Sequence, residues 1–183
     1  MDSGFYEAGQ LYLGAVPDSD ARAKIDRLSG ALKRAHRFPG EPIQPDRLHV
    51  SLLLLGSFLG SPSEDLVRTG HEVGAAVRMP RFDVVFDRTV SFRGKSGQRP
   101  FVLVGREGWT PLQSLRQQMV EALMRMGPKS RARRAFTPHV TLWYGERAIA
   151  EHPIEPIGWT VREFVLIHSL RGHTHLARWP LGV

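Results

Sequence analysis

Leu48-His49-Val50-Ser51-Leu52 and Pro138-His139-Val140-Thr141-Leu142 carry one pattern twice: a histidine, an apolar residue, a hydroxyl residue and another apolar residue. Each copy runs on to a glycine, at Gly56 and Gly145. With 8 His in the chain and 42% apolar residues, chance supplies about 0.14 such matches, so composition does not explain a pair. Both stretches read as strands, and successive side chains on a strand alternate faces. His49 and Ser51 therefore share one face while Val50 and Leu52 point to the core; His139 and Thr141 behave the same way. If pseudo-twofold packing joins the two halves, two imidazoles and two hydroxyls converge on one cleft. Two imidazoles titrating near about 6.5, one neutral as base and one protonated as acid, suit acid–base chemistry at neutral pH without a metal. The hydroxyls can hold a phosphate and stabilise the charge that accumulates in a pentavalent transition state.

Working outward, Gly9–Pro17 reads as a strand, and Asp18 caps a helix running to about His36 with Ala21, Ile25, Leu28 and Leu32 as its buried stripe. The first motif strand spans Leu48–Leu55. Ser61-Pro62-Ser63-Glu64 is a capping box for a helix to about Met79. Arg81–Phe92 and Pro100–Gly105 form a hairpin across the loop Gly94–Gln98, with Phe82, Val84 and Phe86 on one face. A second capping box at Thr110-Pro111-Leu112-Gln113 starts a helix to about Met126, whose apolar face is Leu112, Leu115, Met119 and Leu123. HVTLWY, VREFVLIHSL and HLARWPL read as three closing strands. This order favours a mostly antiparallel α+β arrangement over a doubly wound parallel sheet.

A length of 183 residues allows one domain with two lobes. The absence of cysteine removes disulfides, thiolate metal sites and cysteine nucleophiles. Apolar runs such as Leu52–Leu55 fall far short of the roughly 20 residues of a membrane helix, and the N-terminus lacks the basic and apolar regions of a signal peptide. A cytoplasmic, monomeric protein is expected. Its net charge of +7 suits a polyanionic partner.

The tandem motif resembles the two-histidine (2H) phosphoesterase superfamily, and RLHVSLLLLG, TVSFRGKSGQRPFVLVG, FTPHVTLWYG and VREFVLIHSL are similar in order and wording to its RNA 2′,3′-cyclic phosphodiesterases, the 2′-5′ RNA ligase-like proteins. The resemblance implies a bilobal fold with an antiparallel sheet in each lobe, helices on the outer faces and the histidines in the groove between. It also implies hydrolysis of a terminal 2′,3′-cyclic phosphate to a 2′-phosphate with no cofactor. By analogy His139 is the base and His49 the acid, an assignment the pseudo-symmetry leaves open, and Ser51 and Thr141 grip the phosphate. Ser51 stands where the family more often has threonine. Trp143-Tyr144 stand where it more often has a small residue and arginine, and His173 and His175 where an aromatic is expected.

Beyond the motifs, Arg125, Lys129, Arg131, Arg133 and Arg134 precede the second histidine and can track an RNA backbone. Arg134 is the best placed of them for phosphate, because the family often sets a basic residue just before Phe-x-Pro-His. Phe92, Trp143 and Tyr144 are candidates for base stacking, with core packing the competing reading. His168, His173 and His175 form a further cluster that could ligate a metal, a reading weakened because no cysteine and no nearby acid completes a ligand set. Three alternatives remain open: a nucleotide-binding module with weak turnover, the reverse ligase reaction, and a metal phosphohydrolase built on that cluster.

Overall fold

The computed structural model of the chain describes residues 8–94, 99–106, 109–127, 135–170 and 172–182. Strand β1 (Ala8–Ala15) forms as expected. Asp18 caps helix α1 (Ser19–Ala35) by accepting from the Ala21 amide at 2.9 Å, and the helix buries Ala21, Ile25 and Leu32. A 3-10 turn at Pro45–Arg47 leads into β2 (Val50–Leu59), and it explains why β2 starts later than the apolar run suggests: the Leu48 amide closes the turn on the Pro45 carbonyl. Helix α2 (Glu64–Ala76) is capped by Ser63 and not by Ser61. That register puts Glu64 and Asp65 in the first turn, where the helix dipole favours acids.

Strands β3 (Phe82–Ser91) and β4 (Arg99–Val104) make the hairpin, with Val84 and Phe86 buried. Helix α3 (Trp109–Arg125) already includes Thr110, so that residue is not its cap. Strand β5 (Val140–Gly145) holds the second motif, and β7 (Glu163–Ser169) and β8 (His173–Pro180) close the chain. One strand escapes the sequence reading, β6 (His152–Val161). Its prolines, Pro153 and Pro156, argue against a central strand, and β6 lies at the sheet edge, where a missing amide donor is tolerated.

All eight strands join in a single antiparallel sheet of order β6-β3-β4-β5-β2-β1-β7-β8, so the expected separate sheet in each lobe is corrected. The two halves survive as the halves of that sheet. They meet through one register pair, Val50 with Val140. Each motif strand pairs with the strand that precedes its helix: β2 with β1 across α1, and β5 with β4 across α3. The helices then cross the seam. α1 packs on β6 in the far half, and α3 packs on β2 and α2. One core therefore spans both halves, drawing Ile25 from α1, Val73 from α2, Leu115 and Met119 from α3, and Val50, Leu52, Val140 and Leu142 from the seam. Among the described residues no helix is long and apolar enough to cross a membrane.

Gly105 shows how closely the hairpin packs, since a Cβ there would lie 1.8 Å from the Val85 carbonyl oxygen. Backbone cannot yield as a flexible side chain does. Gly105→Ala is expected to lower the unfolding free energy by about 1–3 kcal/mol, seen as a lower denaturant midpoint with an unchanged slope.

Candidate active site

The seam sets the geometry. Pairing of Val50 with Val140 in the antiparallel sense carries His49 across from Thr141 and Ser51 across from His139, all on the face opposite the core. The two histidines are oriented by the same device. His49 Nδ1 donates to the Arg47 carbonyl at 2.7 Å, and His139 Nδ1 donates to the Thr137 carbonyl at 2.7 Å. In each case the carbonyl two residues upstream fixes the tautomer and turns Nε2 toward the cleft.

His49, Ser51, His139 and Thr141 line a cleft of about 270 Å³ together with Tyr144 and with Gln10, Tyr12, Ile43, Arg47, Ser169 and His173. The first half of the site is the more occupied. The Ser51 hydroxyl donates to His49 Nε2 at 2.9 Å, the Tyr12 ring lies 5.0 Å from the His49 ring, and His173 lies 4.9 Å from it edge-on. The Tyr12 hydroxyl and His173 Nε2 share a hydrogen bond at 3.1 Å. On the second half Phe92 packs edge-on to His139 at 5.0 Å, while His139 Nε2 and the Thr141 hydroxyl have no hydrogen-bond partner among the described residues.

Charge in the cleft is one-sided. Among the described residues Arg47 is its only formally charged lining residue, no carboxylate lines it, and Arg47 Nε is buried without a hydrogen-bond partner. A guanidinium held this way favours an anionic guest. Burial pulls both histidines below their ordinary pKa, opposed by their backbone hydrogen bonds. His49 is pulled further by the positive charge of His139, Arg47 and His175. His173 is lowered to about 4, by burial first and then by His49, Arg47 and His175. Burial raises the Tyr12 hydroxyl, which stays a neutral donor.

The remaining sequence candidates separate. Trp143 is only 2% exposed and stacks on Phe38 at 4.9 Å, so it is a core residue, whereas Tyr144 is 54% exposed on the cleft rim. The proposed cluster of His168, His173 and His175 is divided: His173 enters the cleft, His175 accepts from Arg178 at 2.9 Å, and His168 packs against Phe58 at 5.5 Å. Alternation along β7 turns His168 to the face opposite Ser169. Among the described residues no three histidines or acids group as metal ligands. Arg131, Arg133 and Arg134 lie outside the described residues.

Arg47, Gln10, Tyr12 and Ser169 went unnoticed in the sequence. A signal was present for three of them: Arg47 precedes His49 by two positions, and Gln10 and Tyr12 are the polar alternates of an otherwise apolar strand.

Residues 16–173 match the family model described as the 2′-5′ RNA ligase superfamily. Among solved structures, the chain is similar to E. coli LigT complexed with 3′-AMP, at 25% identity and a TM-score of 0.68 over 97% of this chain and 100% of that one. It is similar to a phosphoesterase at 25% identity and a TM-score of 0.71, again over 97% and 100%. TT0787 of Thermus thermophilus shares the fold at 19% identity, with a TM-score of 0.71 over 94% and 97%. No curated protein matches the sequence.

The depressed histidines make stability depend on pH. The unfolded chain binds protons at about 6.5, where folded His49, His139 and His173 still resist them, so below that point acid favours unfolding. The melting temperature is expected to hold above pH 6.5 and fall as pH drops toward 4. His173→Gln should shrink that fall in a pH series of thermal melts; an unchanged fall would mean that His173 is no more shielded from protons than in the open chain.

Proposed function

Because the chain belongs to the 2′-5′ RNA ligase superfamily, we propose that its cleft hydrolyses the terminal 2′,3′-cyclic phosphate of an RNA end to a 2′-phosphate. The observation that carries this reading is the convergence of His49 Nε2 and His139 Nε2 on one cleft beside Arg47, whose Nε is buried without a hydrogen-bond partner among the described residues. The nucleotide in the E. coli LigT complex supports a nucleotide-sized phosphate ligand.

This reading exchanges the roles given by the family analogy: His49, whose Nε2 already accepts from Ser51 and which lies near the positive charge of Arg47 and His175, acts as the base, and His139 acts as the acid. Ser51 turns from His49 to the phosphate, and the freed Nε2 takes a proton from water as the water oxygen bonds to phosphorus. The P–O3′ bond breaks, and His139 Nε2 gives its proton to the departing 3′ oxygen. Thr141 donates to a non-bridging oxygen, while Arg47 neutralises the charge that grows on the phosphoryl group. Proton exchange with solvent resets both rings. Arg47 on the first motif thus supplies the cation that Tyr144 cannot, and Phe92 holds the His139 ring.

His49→Ala and His139→Ala are each expected to lower kcat at least about 100-fold on an RNA ending in a 2′,3′-cyclic phosphate, with phosphorus NMR locating the product at the 2′ position. Full turnover in either variant would overturn the mechanism. A phosphodiester with a nitrophenol leaving group needs no acid, so it should rescue His139→Ala and not His49→Ala; the reverse pattern would exchange the roles. Both histidines lie below 6.5, so the fraction with His49 neutral and His139 charged peaks on the acid side. kcat/KM is therefore expected to be maximal below pH 6.5 and to fall above it as His139 loses its proton.

A further inference from the structure

A second hollow, of about 390 Å³, borders the catalytic cleft, and the exposed ring of Tyr144 lines both. Its floor is the half-buried ring of Phe38, backed by the buried Trp143 on which it stacks. Its walls carry Arg37, Glu146 and Arg147, the last fixed by donating to the His36 carbonyl at 2.7 Å.

Arg37 is the informative residue. It ends α1 at φ 50°, with the Phe38 amide closing back on the Lys33 carbonyl at 2.9 Å and the Arg37 amide on Arg34 at 3.2 Å. This is the left-handed position after a helix that glycine occupies without strain. An arginine there costs backbone energy. Its side chain is exposed and makes no hydrogen bond or ion pair among the described residues, so the helix end is closed by backbone alone and the guanidinium is left for a guest. The Glu146 carboxylate at the same wall disfavours a bare phosphate and accepts from the ring or amino N–H of a base. Aromatic faces, guanidinium groups and a carboxylate acceptor together match a nucleobase with a neighbouring backbone phosphate.

We propose that this hollow is a subsite for the second nucleobase from the 3′ end of an RNA, which makes an oligonucleotide and not a mononucleotide the preferred substrate. The inference rests on the cyclic phosphodiesterase reading, because that reading puts the terminal phosphate in the adjoining cleft. Tyr144 stands between the two bases, and Arg37 meets the phosphate that links them.

The test separates the two readings by measuring binding apart from turnover. Calorimetric titration compares a ribodinucleotide ending in a 2′-phosphate with the corresponding mononucleoside 2′-phosphate, neither of which has a cyclic bond to open. The dinucleotide is expected to bind about tenfold more tightly. Arg37→Gly removes the guanidinium and relieves the strained φ, so it should raise the melting temperature and reduce that preference to under about threefold while leaving the mononucleotide affinity unchanged. Gly145→Leu is directed at Phe38 and Trp143, where a Cβ has ordinary contacts at 3.5 and 3.6 Å, and should erase the preference by filling the hollow. Equal affinities for the two ligands in the wild type, or a preference that survives both variants, would overturn the subsite. Cleavage of the cyclic dinucleotide and mononucleotide is followed in parallel: no turnover of either sinks the phosphodiesterase reading alone, while the binding difference still decides the subsite.

Discussion

The pairing of Val50 with Val140 is the constraint on which everything else rests. Among the described residues it is the only register pair between the two motif strands, and both valines are fully buried. Because each valine follows a histidine, this pair brings two residues distant in sequence to opposite sides of one seam. A one-residue slip would send each histidine to the core face and a valine to the cleft. The buried valines and leucines of both strands forbid that slip, so the hydrophobic pattern that holds the sheet together also fixes the chemistry above it.

The helices make so narrow a junction stable. A single bridge between half-sheets gives little cohesion of its own, and the cohesion comes from α1 and α3 each packing across the seam. Helices α1, α2 and α3 contribute no residue to the lining of the cleft. Polar side chains stand there on a rigid, buried support, which is what keeps groups on different strands at fixed separation.

The cleft concentrates positive potential around groups that burial would rather leave neutral. His49 and His173 meet edge-on beside a guanidinium whose Nε has no partner among the described residues, with Tyr12 hydrogen-bonded to His173. The second half, with Phe92 against His139, lacks such crowding. Two motifs nearly identical in sequence therefore stand in different electrostatic surroundings.

The sequence by itself determined what alternation and local chemistry control. Period-two patterning placed His49, Ser51, His139 and Thr141 on shared faces, Asp18 declared its cap, and the apolar spacing of α1 and α3 named their buried stripes. Those properties depend on residues within a few positions of one another. Tertiary structure decided the rest. Whether the halves hold two sheets or one depends on the single Val50–Val140 bridge; the edge place of β6 is what admits its prolines; the burial of Trp143 and the exposure of Tyr144 follow from Phe38, more than a hundred positions away. The parting of His168 from His173, and the entry of Arg47 and Tyr12 into the cleft, likewise arise from strands that become neighbours only on folding. Burial and electrostatic potential sum over everything nearby in space, and a linear sequence specifies only what is nearby along the chain.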